Sequence, residues 1–364
     1  MDDFEYNANP GRVIFGRGAQ AIGKLRSELG RQKLNKPLLL TTPHQASKGE
    51  GVKNVLLGDV AGIFSKATMH TPRHVTDEAL EYVKSVGADS VVSIGGGSTI
   101  GGGSTIGLGK AISIRTGLPH ICIPTTYAGS EMTPVLGETA DGAKKTRWDP
   151  KILPGTVIYD VDLTLTLPAA MSAVSGVNAI AHAGKSYPLP SHILAVEGTK
   201  ALASSLSIIV DNPSDIEARS KALYGAWLCG TCLGSVGMSL HHKLCHTLGG
   251  SFSFPHAETH TAVLPHALAF NAPYVHEALA KLAGALPGSG GDAINGLNVL
   301  LEKLKVKKGL REFGMKESDI DRAADIAVSN PYWNPREVQR DPIRELIRRA
   351  WAGEPARADL KPSN

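Results

Sequence analysis

The sequence predicts an α/β nucleotide-binding domain followed by an all-helical domain, and three observations carry that expectation. Strand and helix patterns alternate through the first 165 residues, as they do in a parallel sheet with helices on its faces. From about Pro168 the strand signals almost vanish and long Ala/Leu-rich stretches take over. A short β-branched strand also runs straight into a glycine-rich turn, where the six residues IGGGST occur twice in tandem between Ser93 and Lys110. The expected domains are 1–165 and 166–364, with a proline at the boundary placed to open the next helix.

Taken in order, GRVIFG (11–16) and PLLLTT (37–42) read as strands, separated by a segment with helical spacing. VAGIFSKATMH contains a third strand. TDEALEYVKSVGA (76–88) reads as a helix with Thr76 as its N-cap and acids in its first turn. DSVVSI, PHICIPTT and TVIYDVD complete the strands. Beyond the boundary, helices are expected over 168–183, 196–210, 214–249, 261–284, 292–304, 317–328 and 340–351. Gly184, Pro188 and Pro190 should end the first of these near Ala183 or Lys185, because proline inside a helix removes a donor and clashes.

Composition narrows the function classes. The 364 residues are 42% hydrophobic and 20% charged, with a net charge of +4. The basic residues form no long run, so there is no electrostatic footprint for nucleic acid. The acidic N-terminus lacks the apolar segment of a signal peptide, and no 18-residue apolar span is evident. The four cysteines form no disulfide framework, and the CGTC at 229–232 reads as small residues of a buried helix. The expectation is a cytoplasmic protein with reduced thiols and no membrane or nucleic-acid partner.

A strand, a glycine turn and a helix N-terminus together present backbone N–H groups to a phosphate, with the helix dipole behind them. Gly95, Gly96, Gly97 and Ser98 form the first copy of the turn, and Gly102, Gly103 and Ser104 belong to the second. A second polar loop, PTTYAGSEMTP (124–134), follows the next strand and supplies Thr125, Thr126, Tyr127 and Ser130. Two such loops at neighbouring strand ends are what a dinucleotide crevice needs.

The second half holds a histidine constellation. SGVNAIAHA sets Asn178 and His182 four apart on one helix face, and LHHKLCHTLGGSFSFPHAETH offers His241, His242, His246, His256 and His260.

GGGS after a strand, then PTTxxGSExT, then this histidine pattern, resembles the iron-containing (group III) alcohol dehydrogenase family over nearly the whole chain. The resemblance implies a dehydroquinate-synthase-like fold and NADH or NADPH as cofactor. The family's glycine motif, GGGSxxDxxK, matches the second copy through Lys110, with Gly107 where the aspartate is expected. The second copy is therefore expected to cap the helix and meet the pyrophosphate. In metal-dependent members one Asp and three His hold the ion. The pattern transfers onto Asn178, His182, His242 and His256, and His246 matches a histidine near the nicotinamide. A neutral amide at the first position weakens a site for a hard cation.

Asn178, GGGSTIGLGK, TTYAGSEMTP and NPYWNPR (330–336) together resemble one branch of that family. That branch reduces the carbon–carbon double bond of 2-maleylacetate to 3-oxoadipate without a metal, so no metal is expected. Hydride addition leaves an enolate whose oxygen needs a donor and whose carbon needs a proton. Tyr127 and His246 are the candidates for donor and acid, with His242 and His256 as oxyanion or carboxylate partners. Arg336 is a candidate clamp for the dicarboxylate. Thr41 and Thr42 end the second strand without an acid to repel a 2′-phosphate, so both NADH and NADPH are expected to serve. Lys144 or Lys145 corresponds to a family lysine near the nicotinamide ribose, and a homodimer is expected. A metal-dependent alcohol or polyol dehydrogenase, a lyase of the same fold and a non-catalytic nucleotide-binding protein are the alternatives.

Overall fold

The computed structural model describes residue 9 and residues 11–96, 104–140, 143–183, 189–236, 238–252 and 254–360. The chain divides into two compact units, one ending at Leu167 and the other beginning at Pro168.

The first unit runs β1 (Arg12–Gly16), α1 (Leu25–Arg31), β2 (Pro37–Leu40), α2 (Ala46–Val55), β3 (Gly62–Phe64), α3 (Arg73–Val86), β4 (Ser90–Gly95), α4 (Thr105–Thr116) and β5 (His120–Pro124). A hairpin, β6 (Val135–Ala140) and β7 (Ala143–Trp148), and then β8 (Thr156–Asp160) complete it. Six strands form one parallel sheet in the order β1-β8-β5-β4-β2-β3. Alternate residues feed opposite faces, as the two-residue period of a strand requires. Leu39, Val92 and Ile94 join Leu25, Val52 and Ile121 in one core. Leu38, Leu40 and Val91 join Val75, Val83 and Ile112 in the other. The chain leaves β2 toward β3 and then returns to β4 on its other side, so the order reverses between β2 and β4. Ligands bind outside the carboxyl ends of strands at such a point.

Two sequence expectations need correction here. The helix expected from Thr76 begins at Arg73, with Pro72 at its cap, because proline pre-sets the φ that a helix entrance needs. The β6–β7 hairpin was not foreseen. Its strands pair with each other, from Val135↔Trp148 to Ala140↔Ala143, with one isolated bridge from Thr139 to Pro72, and half-buried alternation is weak there.

The second unit is helical among the described residues: α5 (Ala169–Ala183), α6 (Leu189–Asp211), α7 (Ile216–Ser235), α8 (Leu240–Phe252), α9 (His256–Asn271), α10 (His276–Ala285), α11 (Ala293–Lys303), α12 (Asp319–Ser329) and α13 (Arg340–Ala352). Pro168 does precede the first helix, and α5 is described as far as Ala183; Gly184 and Pro188, expected to end it, lie outside the described residues. The single stretch expected over 214–249 is two helices, α7 and α8. The helix expected from residue 196 starts at Leu189, with Pro190 in its first turn, where a missing N–H costs nothing. Its His192–Asp211 part is, by length and mean hydropathy, apolar enough to cross a membrane, a span not evident by eye; half of it is buried in the protein. A core cluster of Leu240, Leu244, Leu248, Val263, Phe270, Ile343 and Leu346 fixes α8 and α9 against α13.

Candidate active site

In the first unit, Leu40, Gly95 and Pro124 end three adjacent strands. Gly95 has φ +146°, and a Cβ there would lie 2.7 Å from both Gln45 Oε1 and Thr105 Oγ1, so only glycine fits where β4 enters the turn. Ser104 caps α4, its hydroxyl accepting from Gly107 N at 3.1 Å. The helix register therefore belongs to the second copy of the repeat and the strand end to the first. Gly97, Ser98, Gly102 and Gly103 lie outside the described residues. Gly96 accepts from Thr105 Oγ1 at 3.4 Å. Gly107, where the family motif has aspartate, has no room for a side chain: a Cβ would meet Ser104 Oγ at 2.3 Å and Thr71 Oγ1 at 2.4 Å. Thr71 and its neighbour His70 both hold left-handed backbone, a strain that the β6 contacts to their carbonyls maintain.

The polar atoms here fit a dinucleotide. Thr41 Oγ1, Thr42 Oγ1 and Gln45 Oε1 are buried without a hydrogen-bond partner at the carboxyl end of β2. Gln45 Nε2 donates to Thr125 Oγ1 at 3.3 Å, tying β2 to the loop after β5. Buried donors and acceptors left unpaired near Gly95 and a capped helix N-terminus are groups that a ribose hydroxyl or a phosphate can pair with. Sequence reasoning missed Gln45.

The loop after β5 stands on Lys110. This fully buried ammonium donates to Ser130 O at 2.6 Å, Val135 O at 2.9 Å and Thr133 Oγ1 at 3.0 Å, using all three of its protons. Burial brings its pKa down to about 8. Beside it, Glu131 accepts from Tyr159 OH at 2.8 Å, and burial raises its carboxyl above the usual range. Thr125, Thr126 and Tyr127 are buried on this loop. Lys144 lies in β7, and its side chain is outside what is described.

In the second unit, α5, α8 and α9 bring the histidines together. The i, i+4 spacing sets Asn178 and His182 on one face of α5 and His242 and His246 on one face of α8. Ring centroids lie 5.4 Å apart for His182 and His242, 5.9 Å for His242 and His246, 4.8 Å for His242 and His260, and 4.1 Å for His256 and His260. His260 is fully buried, with neither ring nitrogen hydrogen-bonded. Burial drives its pKa well below the ordinary value, and the neighbouring imidazoles push the same way.

His246 Nδ1 lies 3.1 Å from Tyr332 OH. Sequence reasoning missed this tyrosine as a site residue, although it quoted the heptapeptide NPYWNPR for the branch resemblance and for Arg336. Tyr127 belongs to the other unit. Arg336 is 3% exposed; it donates to Phe270 O at 2.8 Å and stacks on the Phe270 ring at 4.1 Å, while its other terminal nitrogen is buried without a hydrogen-bond partner.

Family models match both parts of the chain: iron-containing alcohol dehydrogenase over residues 10–161, and the C-terminal part of the Fe-containing alcohol dehydrogenase family over residues 172–351. The chain belongs to the iron-containing alcohol dehydrogenase family. This is a family of NAD(P)-dependent oxidoreductases. Within it the chain is 48% identical to the maleylacetate reductase of a Rhizobium species over 359 residues, covering 97% of this chain and 99% of that one. It is 47% identical to that of Burkholderia cepacia over 360 residues, covering 97% and 99%. The crystal structure of maleylacetate reductase from Agrobacterium tumefaciens superposes with a TM-score of 0.91 at 47% identity, covering 98% of this chain and 100% of that one.

The family's metal is tested by the donors present. Asn178 Oδ1 is buried and accepts no hydrogen bond, but it is neutral. Among the described residues, the side chains gathered closely enough to share an ion are His241, Cys245 and His260, within 4.8 Å of one another. His241 Nε2 lies 3.0 Å from the His260 carbonyl, which occupies that nitrogen. The donor set at the four transferred positions, one amide and three imidazoles, is thus one negative charge short of an Asp and three His.

Proposed function

We infer that this chain reduces the carbon–carbon double bond of maleylacetate to give 3-oxoadipate, with NADH or NADPH as the reductant and without a metal. The observation that carries the chemistry is the His246–Tyr332 pair inside a histidine cluster, in a chain that matches maleylacetate reductases end to end.

A bound NAD(P)H would supply the hydride, which adds to the alkene carbon remote from the ketone. The charge then moves onto the ketone oxygen as an enolate, and the neighbouring carbon takes a proton. His246 delivers that proton from Nε2. Tyr332 holds Nδ1 and fixes which nitrogen faces the substrate. His242, His256 and His182 line the cluster as donors to the enolate oxygen or to a carboxylate, and Asn178 offers a neutral amide where a metal ligand would otherwise stand. Tyr127, on the loop after β5, is the hydroxyl proposed for the enolate oxygen. The free terminal nitrogen of Arg336 is proposed for a carboxylate of the substrate.

Gly95, Gly96, Gly97, Ser98, Gly102, Gly103, Ser104, Thr125, Thr126, Ser130, Thr41 and Lys144 are proposed to hold the cofactor. Thr41 and Thr42 carry no charge, so NADPH should support turnover within about tenfold of NADH, less than about 1.4 kcal/mol of discrimination. The protein is further proposed to act as a cytoplasmic homodimer, with its four buried thiols reduced and neither nucleic acid nor membrane as a partner.

The deciding experiment is oxidation of NADH in the presence of maleylacetate, with and without EDTA. Turnover that survives chelation is expected. Absence of turnover on maleylacetate, with turnover on simple alcohols restored by Fe²⁺ or Zn²⁺, would select the metal-dependent alternative.

A further inference from the structure

Asn334 lies two residues beyond Tyr332, and its side-chain amide is saturated. Its Oδ1 accepts from Ser239 Oγ at 3.0 Å and from Asn271 Nδ2 at 2.8 Å. Its Nδ2 donates to Asn271 Oδ1 at 2.8 Å and to Arg336 O at 2.6 Å. An amide has two acceptor and two donor positions, and all four are used.

The partners come from separate elements. Ser239 directly precedes α8, which carries His242 and His246. Asn271 is the last residue of α9, which begins with His256 and carries His260. Arg336 is on the loop itself and returns to α9 through Phe270 O. One side chain therefore fastens the Tyr332 segment to α8 and α9, two of the three helices that carry the histidine cluster. The segment has no regular secondary structure and Trp333 is 79% exposed, so apart from the Arg336 stack on Phe270 and the Tyr332 edge against His246 it is held by these bonds. Pro331 and Pro335 restrict φ on either side but make no such bonds. The reciprocal amide pair has a fixed planar geometry, so it sets position as well as attachment.

We propose that Asn334, paired with Asn271, is a positioning residue: it sets the Tyr332 hydroxyl on Nδ1 of His246 and so acts in the reaction through Tyr332. This rests on the role given above to the His246–Tyr332 pair.

A double-mutant cycle tests it, comparing the full-length protein with Tyr332→Phe, Asn334→Ala and both together. Two readouts are needed: steady-state kinetics, and the imidazole nitrogen shifts of His246 in protein labelled with ¹⁵N-histidine, assigned by their loss in His246→Gln. Asn334→Ala should lower kcat about tenfold or more, as misplacement of a reacting group does, with KM for NADH within about twofold. The double variant should be no slower than Tyr332→Phe alone, because an anchor has nothing to position once the hydroxyl is gone. The His246 signal of Asn334→Ala should move to that of Tyr332→Phe. Asn271→Ala breaks the same pair from the α9 side and serves if Asn334→Ala fails to fold. Losses that multiply in the double variant, or a His246 signal in Asn334→Ala that stays at the wild-type position, would overturn the proposal. If Tyr332→Phe itself turns over like the wild type, the catalytic role of Tyr332 fails, and the His246 signal still decides whether Asn334 places it.

Discussion

The ammonium of Lys110 lies 2.6 Å from the carbonyl oxygen of Ser130, and two further bonds from the same nitrogen reach Thr133 and Val135. A charge buried inside α4 thus holds the loop that follows β5. Desolvation brings the pKa of the group to about 8, so the charge costs stability while its three bonds return some of it. Lys110→Met removes both terms. The net change in unfolding free energy should stay under about 2 kcal/mol. Loop placement has no such compensation, so KM for NADH should rise at least about threefold. Unchanged cofactor affinity in a folded Lys110→Met protein would show that the loop does not depend on the lysine.

Much of this was legible in the sequence. The parallel strands were readable from β-branched runs bounded by glycine and proline. Lys110 was found from its register with the second glycine copy, though its bonding was not. What stayed hidden depends on distance along the chain. Tyr332 is 86 residues from His246, and neither residue's local pattern points to the other. Gln45 reads as an ordinary polar residue until β2, β4 and β5 are set side by side. The β6–β7 hairpin carries Gly137 and a run of charged residues, Lys144, Lys145 and Arg147, which weaken any strand signal.

Asn178 makes a sharper prediction about metal. Asn178→Asp restores the charge that a hard cation needs, at a position already buried on α5 beside His182. The variant should take up Zn²⁺ or Fe²⁺ in equilibrium dialysis more tightly than the wild type, by at least about tenfold. The wild-type protein, purified without chelator, should carry far less than one ion per chain by elemental analysis. Near-stoichiometric iron or zinc in the wild type would end the metal-free reading.

Two buried histidines outside the cluster contribute to the dependence of stability on pH, in the same direction as His260. His120 is brought down to about 3 by burial and by Lys110, and His266 to about 4 by burial and by Arg349, against an ordinary 6.5. Above about pH 6.5 both are neutral folded and unfolded, and neither costs anything. Below it the unfolded chain takes up protons that the folded chain refuses, so stability falls as pH falls toward the folded values. The two groups together should remove about 3 kcal/mol between about pH 6.5 and pH 5. Urea midpoints measured across that range read this directly. His120→Gln should remove about half of the share that His120 and His266 contribute. A stability that does not change between those pH values would mean that the two imidazoles are not held neutral.

The repeated hexapeptide supplies the last prediction. β4 ends on Gly95 in the first copy, and α4 is capped by Ser104 in the second, so the chain between them is six residues longer than a strand–turn–helix unit with one copy would need. Deleting Ile94–Thr99 leaves SVVSIGGGSTIGLGK, in which one glycine turn joins strand to helix. Loop closure grows only logarithmically with length, so the deletion should change folding stability by less than about 1 kcal/mol. Positioning is another matter, since a phosphate held by both a strand end and a helix N-terminus gains when the two are joined directly. NADH should bind the shortened protein at least as tightly as the full chain. Substituting Gly97→Val and Gly103→Val separately then locates the contact, because a side chain abolishes binding only where backbone touches phosphate. With Ser104 as the cap, Gly103→Val should abolish NADH binding and Gly97→Val should weaken it little. The reverse pattern would move the phosphate site to the first copy.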